Sequence, residues 1–506
     1  MNGSSPPDPL GLELTAEIDD QWSNIQQVIE GLREVSKPEP DEPLDQRAND
    51  YDRASLRSLA TPTVTPQPLM QVIQEAYYIF NYRMRTNHPH FFSFIPSNST
   101  DLSWLGDMIV SAFNAHLGGT VASAGPCAVE TALVEWLAAK VGFGPTKINP
   151  TKAGGLFVSG GSVANLIAFI VARDQKLRVH DRTRGVIYVG DQAHYSLRKA
   201  ARIVGFGADQ IHCVQSNSQF QMDPEDLQRQ VEIDRQYGRV PFLIVASFGC
   251  TETGAVDPIE TLARIAREQG AWLHVDGAYG ASAALASENS AEAKKMGVAD
   301  SVSWDAHKWL MQTYGCGMIL VRDKSTLTSS FYVKGDNVVD RAGRVRDTAE
   351  FWDLGIELTR PARAISFWFT LRVLGEERIG RMIDQGIELT QAFQSLIEQR
   401  RNWEIVAPAS LAIINFRYNP GHRSEEQLAT LNELISKELL AGNMAALMTT
   451  RLRGKLALRI CCINTRLTGE DMVVLMERMD RIATEMDQMQ RASWKSIEQV
   501  GESDYR

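Results

Sequence analysis

Residues 155–173 read GLFVSGGSVANLIAFIVAR, and the change of texture along them decides the fold class. A short apolar run passes through Ser159, Gly160, Gly161 and Ser162 into a segment with helical apolar spacing. This is a strand, a turn of small residues and a helix. Outward from it, through residue 325, the same alternation continues. GVIYVG (185–190), QIHCV (210–214), PFLIVASFG (241–249), AWLHVDGAYG (271–280) and GMILVRD (317–323) are strand candidates, while SLRKAARIVG (196–205) and IETLARIAREQG (259–270) read as helices. Such alternation predicts an α/β domain with a largely parallel sheet. A helical stretch around 361–401 follows. Beyond it, strands WEIVAP (403–408), LAIINFRYN (411–419) and LALRICCIN (456–464), with helices at 424–440 and 469–488, predict a smaller α+β domain. The expected division is an N-terminal segment 1–65, a large domain 66–375, a small domain 376–490 and a tail 491–506.

The first fifty residues hold twelve acidic residues, three basic ones and six prolines, a composition that cannot bury enough apolar surface to order most of the segment. Only WSNIQQVIEGLREV (22–35) has helical spacing there. A second helix is expected at AVETALVEWLAAKV (128–141). The 506-residue chain carries a formal charge of −10 and no compact block of Lys and Arg, which argues against nucleic acid or an anionic membrane as partner. Its six cysteines show neither CxxC nor a Cys/His metal spacing, so no metal site is expected and reduced thiols are. No apolar run reaches spanning length, and MNGSSPPDPLGLEL lacks a basic stretch followed by an apolar one. The expectation is a cytoplasmic protein with no membrane partner.

Three features point to chemistry. The Gly160–Gly161–Ser162 turn brings backbone close to whatever sits beyond it, and the free N–H groups of the following helix form an anion site; a turn that simply needs small residues fits equally well. Asp276 in AWLHVDGAYG lies at the C-terminal end of a buried strand, where open α/β sheets place ligands, although a capping or salt-bridging carboxylate would also fit. Thirty-two positions on, SVSWDAHKWL (301–310) places Lys308 in a strand-like, mostly buried segment. A buried ammonium is costly. Lys308 snorkels to solvent, pairs with Asp305, or is not an ammonium at all. An anion loop, a strand-end aspartate and a buried lysine are together the parts that hold pyridoxal 5′-phosphate (PLP): the loop for the phosphate, Asp276 for the protonated ring nitrogen, Lys308 for the Schiff base. His194 in DQAHYSLRKA (191–200) could lie flat against such a ring or be a satisfied core residue. Thr251 in SFGCTETGAVDP (247–258) offers a loop hydroxyl or a plain turn residue.

DQAH, HVDGAYG and SWDAHKWL together resemble the group II PLP-dependent decarboxylases of fold type I, the family of aromatic-L-amino-acid, histidine and glutamate decarboxylases. The resemblance runs from about residue 66 to about 490. It implies a mostly parallel, seven-stranded sheet in the large domain, a smaller C-terminal α+β domain, and a homodimer whose active sites are shared between subunits. It also implies Lys308 as Schiff-base lysine, Asp276 as pyridinium partner and His194 as the stacking ring. Gly160, Gly161, Ser162 and His307 would meet the phosphate, and Thr251 and Ala278 would line the cofactor. Asp305 stands where many aromatic decarboxylases carry Asn; a carboxylate repels phosphate, so Asp305 is left out of that set. HPHFFSFIPS (88–97) supplies Phe94, Ile95 and Pro96 to an aromatic-tolerant substrate slot, and Thr359 falls at a specificity-tuning position.

The reaction so implied is decarboxylation of an L-amino acid, preferably aromatic, to the amine. One position departs from the family. Aligning EFWDLGIELTRPAR (350–363) without a gap puts Phe351 where the family's loop tyrosine delivers a proton, and phenylalanine has none to give. In relatives of that kind the unprotonated carbanion reacts with dioxygen, giving an aldehyde, ammonia and hydrogen peroxide. Aromatic aldehyde synthase is therefore the alternative. Tyr332, upstream in the same region, is another phenol that could serve.

Overall fold

The computed structural model describes residues 25–35, 37–45, 53–95, 99–144, 152–333 and 349–503. The lack of order expected of most of the N-terminal segment falls on residues 1–24 and 46–52, which lie outside the described residues, as does Pro96. The chain divides into two compact units, Met1–Phe91 and Phe92–Arg506. The first holds helices Ile25–Val35, Arg53–Ala60 and Leu69–Asn81, with Arg85 paired to Glu42 at 2.8 Å.

The second unit is built on two sheets. In the larger, β1 (Gly154–Val158), β2 (Gly185–Gly190), β3 (Ile211–Val214), β4 (Val240–Ser247), β5 (Trp272–Asp276), β6 (Ser301–Asp305) and β7 (Gly317–Val321) lie in the order β1-β7-β6-β5-β4-β2-β3. From β3 through β6 neighbours are parallel, and β7 runs antiparallel between β6 and β1. Successive side chains explain why these strands are continuously apolar. Ile244, Val275, Val302 and Trp304 pack into one core, while Leu243, Val245, Ile187 and Ile319 pack into another on the opposite face. Both faces are covered, so neither parity of residue can be polar. The helix Gly161–Lys176 buries Ile167, Ala168, Phe169 and Val171 against the second face and lies across β4 to β7, which aims its N-terminus at the carboxyl ends of the strands.

The smaller sheet is antiparallel, in the order β10-β11-β9-β8, from β8 (Trp403–Ser410), β9 (Ile413–Tyr418), β10 (Met448–Leu452) and β11 (Lys455–Cys461). Helices Glu376–Glu398, Glu425–Ala441 and Gly469–Ser503 flank it, and Phe393, Ile435 and Met476 meet Phe416 and Leu458 in its core. Ser424 caps the second of these helices by accepting from the Gln427 N–H, reciprocated by the Gln427 side chain. The helical stretch near 361–401 is two helices, Arg363–Leu374 and Glu376–Glu398, broken at Gly375, whose φ of 74° is one a side chain resists. The two sheets meet through the loop after β4. Ser410 Oγ donates to the Gly254 carbonyl at 2.8 Å and Asn415 Nδ2 to the Glu252 carbonyl at 3.0 Å. Among the described residues no helix is long and apolar enough to cross a membrane, and no cluster of His, Cys, Asp and Glu could hold a metal ion.

Candidate active site

Strand register fixes the site before any side chain does. Asp276, the last residue of β5, stands beside Ser247 of β4 on one side and Ser303 of β6 on the other, and β6 itself ends at Asp305. The turn after β6 then carries His307 and Lys308. At this edge opens a cavity of about 850 Å³. Gly160, Gly161, Ser162, His194, Thr251, Asp276, Ala278, His307 and Lys308 all line it, as do Phe94 and Ile95. Residues from Phe94 to Lys308 thus converge on one space.

Asp276 is held as an acceptor. Its Oδ1 takes the Ala278 N–H at 3.1 Å and the Ser303 hydroxyl at 3.2 Å, and its Oδ2 takes Asn165 Nδ2 at 3.0 Å. Three donors fix the orientation of the carboxylate and leave lone-pair capacity toward the cavity. His194 is anchored from behind: Nδ1 accepts the Ser196 N–H at 3.3 Å and lies 2.8 Å from Ser196 Oγ. Burial pushes its pKa down despite the neighbouring Asp276 carboxylate, so the ring is neutral with its proton on Nε2.

At the other end, Lys308 Nζ lies 3.1 Å from Asp305 Oδ2, which is the ion pair that sequence left open as an alternative for this lysine. Asp305 Oδ1 is buried without a hydrogen-bond partner. Glycine is required close by: a Cβ at Gly161 would stand 2.8 Å from Asp305 Oδ2, and one at Gly160 2.9 Å from the His307 ring. No side chain caps the Gly161–Lys176 helix. Its first N–H groups and the Ser162 hydroxyl form a donor set suited to a phosphate monoester, and His307, whose Nδ1–H is committed to the Cys316 carbonyl at 3.0 Å, lines the same end of the cavity. A lysine for an aldehyde, a three-donor carboxylate for a pyridine nitrogen and an uncapped helix end for a phosphate match the three ends of PLP. The residues present fit that cofactor.

Phe351 and Thr359 are placed elsewhere in the chain. Phe351 is buried in the wall of a second cavity of about 960 Å³, which Tyr332 also lines, with the Arg360 guanidinium 5.0 Å from its ring centroid. Thr359 is exposed. Conversely, several wall residues escaped sequence reasoning. Arg459 of β11 reaches the cavity and donates to the Thr251 carbonyl at 3.0 Å, to Glu252 at 3.1 Å and to the Ser93 carbonyl at 2.9 Å. Met448 to Arg451 of β10 form another part of the wall. The arginine inside LALRICCIN was the available signal, a charge in a run otherwise apolar from Leu456 to Ile463.

A mixed seven-stranded sheet with lysine and carboxylate near adjoining strand ends and an uncapped helix N-terminus beside them has the architecture of a fold type I PLP enzyme. The family described as the pyridoxal-dependent decarboxylase conserved domain matches residues 54–419. An aromatic-L-amino-acid decarboxylase of Bacillus atrophaeus is 35% identical, over 81% of this chain and 84% of its own length. A phenylacetaldehyde synthase of Arabidopsis thaliana is 30% identical, over 76% and 79%. The solved structure of Oryza sativa TDC with PLP and tryptamine superposes with a TM-score of 0.83 at 24% identity, covering 95% of this chain and 100% of that one. The chain belongs to the pyridoxal-dependent decarboxylase family, and its cofactor is PLP.

Proposed function

We propose that the protein removes the carboxyl group of an aromatic L-amino acid, and that Lys308, Asp276 and His194 carry the reaction. The convergence of these three on one cavity, opposite an uncapped helix end, is the observation that supports the reading. PLP, when bound, supplies the electron sink for the pair left behind as carbon dioxide departs. Lys308 would hold the cofactor through its aldehyde, Asp276 would keep a proton at the ring nitrogen, and His194 would lie against the ring. Gly160, Gly161, Ser162 and His307 would meet the phosphate, with Thr251 and Ala278 beside the ring. Phe94, Ile95 and Met448 give the outer cavity an apolar surface that suits an aromatic side chain and excludes water from the reacting bond. The relatives with aromatic substrates in their names support the same preference.

A homodimer in the cytoplasm completes this reading. Leu105, Met108, Phe113 and Trp368 are exposed on the mutually packed helices Asp101–Phe113 and Arg363–Leu374, an apolar surface suited to a second copy. Phe351 or Thr359 would then act on the other subunit's substrate.

Phe351 favours a second product. Without a phenol at that position, dioxygen can take the electron pair at the α-carbon, so that amino acid, dioxygen and water give aldehyde, carbon dioxide, ammonia and hydrogen peroxide. The test is aerobic incubation of PLP-loaded protein with tyrosine, phenylalanine, dopa, tryptophan and glutamate, quantifying carbon dioxide, amine, aldehyde and peroxide together. Amine equal to carbon dioxide supports plain decarboxylation; aldehyde with peroxide supports the second product; faster turnover of glutamate than of every aromatic substrate overturns the aromatic reading.

A further inference from the structure

Asn165, 1% exposed, is a polar residue on the otherwise apolar buried side of its helix, and two of its three side-chain hydrogen bonds run to residues that line the cofactor cavity. Its Nδ2 donates twice, to Asp276 Oδ2 at 3.0 Å and to Ser196 Oγ at 3.3 Å. Its Oδ1 lies 2.9 Å from His274 Nε2. His274, in the middle of β5 and fully buried, places Nδ1 2.8 Å from Ser301 Oγ, and Ser301 Oγ accepts from Trp272 Nε1 at 2.8 Å.

The polarity of this chain is forced from both ends. An ionised carboxylate only accepts, so Asn165 Nδ2 must donate to Asp276 and its Oδ1 must accept the His274 Nε2 proton. Burial holds His274 neutral, its pKa pushed down to about 4, so its other nitrogen must accept from Ser301. An indole only donates, so Trp272 supplies Ser301, whose single proton is free for His274. The second branch closes the same way. Ser196, supplied by Asn165, gives its hydroxyl proton to His194 Nδ1, which leaves the His194 proton on Nε2.

We propose that Asn165, oriented by His274, is the positioning residue that sets both contacts to the cofactor ring, aiming the Asp276 carboxylate at the ring nitrogen and fixing the tautomer and tilt of His194. One amide group thereby ties the edge contact of the ring to the face contact. The proposal rests on the reading that Asp276 and His194 meet the ring. A purely structural role would change unfolding without changing the bound cofactor.

The test compares N165A, H274A, H274Q, D276N and the double variant N165A/D276N by the PLP dissociation constant, the visible band of the bound cofactor, and kcat and KM with an aromatic substrate. N165A and H274A should weaken PLP binding about tenfold, shift the band, and lower kcat with KM little changed. H274Q, whose amide can still donate to Asn165, should recover most of the loss. The double variant should be no worse than D276N. N165S serves in place of N165A should the latter not fold, since a hydroxyl cannot supply both donors. If D276N shifts the band and PLP affinity while N165A, or N165S in its place, and H274A leave both within twofold, the relay is overturned and the ring assignment stands. If D276N changes neither, the ring assignment itself fails and the relay with it.

Discussion

Lys308 can bond an aldehyde only as a free amine, yet Asp305, with a side chain only 3% exposed, holds it as an ion pair at 3.1 Å. The same carboxylate faces the Gly160–Gly161 turn, where a phosphate would bring further negative charge. D305N should therefore tighten PLP binding, by about tenfold or roughly 1.4 kcal/mol, as it removes a repulsion and frees the amine. Equilibrium dialysis against PLP checks this, and weaker binding would mean that Asp305 helps the cofactor. K308A should abolish the visible absorption of lysine-linked cofactor; a surviving band would refute the lysine assignment. Asp276 and Lys308 stand out in sequence because one ends a buried strand and the other closely follows one, where a charge has no packing role to explain it. Asn165 and His274 do not. Each sits inside an apolar run, and only tertiary neighbours distinguish an orienting amide from a core residue that has found a partner.

At the level of elements, a similar contrast separates the strands. Those of the large sheet are buried on both faces and announce themselves as apolar runs, whereas β10, MTTRL, is a sheet-edge strand with only Leu452 buried and no alternation to read. The helix Pro224–Gln236 was missed for a related reason: apart from its Asp223 cap, few residues, Leu227 and Val231 among them, reach the core. The small sheet also carries a pH-sensitive cluster. Burial raises the Glu404 carboxyl, but hydrogen bonds from Lys455 at 2.6 Å, Asn419 at 3.0 Å and Arg417 at 2.9 Å outweigh it and hold the pKa at about 2. A carboxyl whose folded pKa lies below its unfolded value of about 4.3 adds stability that is fully present above that value and lost as pH falls toward 2. Urea unfolding at pH 7, 4.5 and 3 should show E404Q less stable than the parent at pH 7, with the difference shrinking at pH 3. A constant difference would place the effect in packing rather than charge.

Over the whole molecule, the segment that carries Phe351 is tied by a buried arginine to the helix Thr120–Lys140, through Glu130, and to β1. Arg360 and Glu130 are both fully buried at 2.6 Å, and Arg360 also donates to the Phe157 carbonyl at 2.6 Å and the Leu117 carbonyl at 3.0 Å. Removing one partner strands the other charge, so R360M should cost about 3–5 kcal/mol in chemical denaturation, with E130Q/R360M recovering part of it. Recovery of none would locate the cost in the lost carbonyl contacts. The division of labour around the cavity has a consequence of another kind. The groups that fit the cofactor come from strand ends and turns of the large sheet, while β10 of the small sheet, joined through the loop after β4, contributes outer wall. Residues 448–451 can therefore change without touching the cofactor's anchors. Substrate range in such a scaffold is free to drift over generations while the chemistry beneath it is inherited intact.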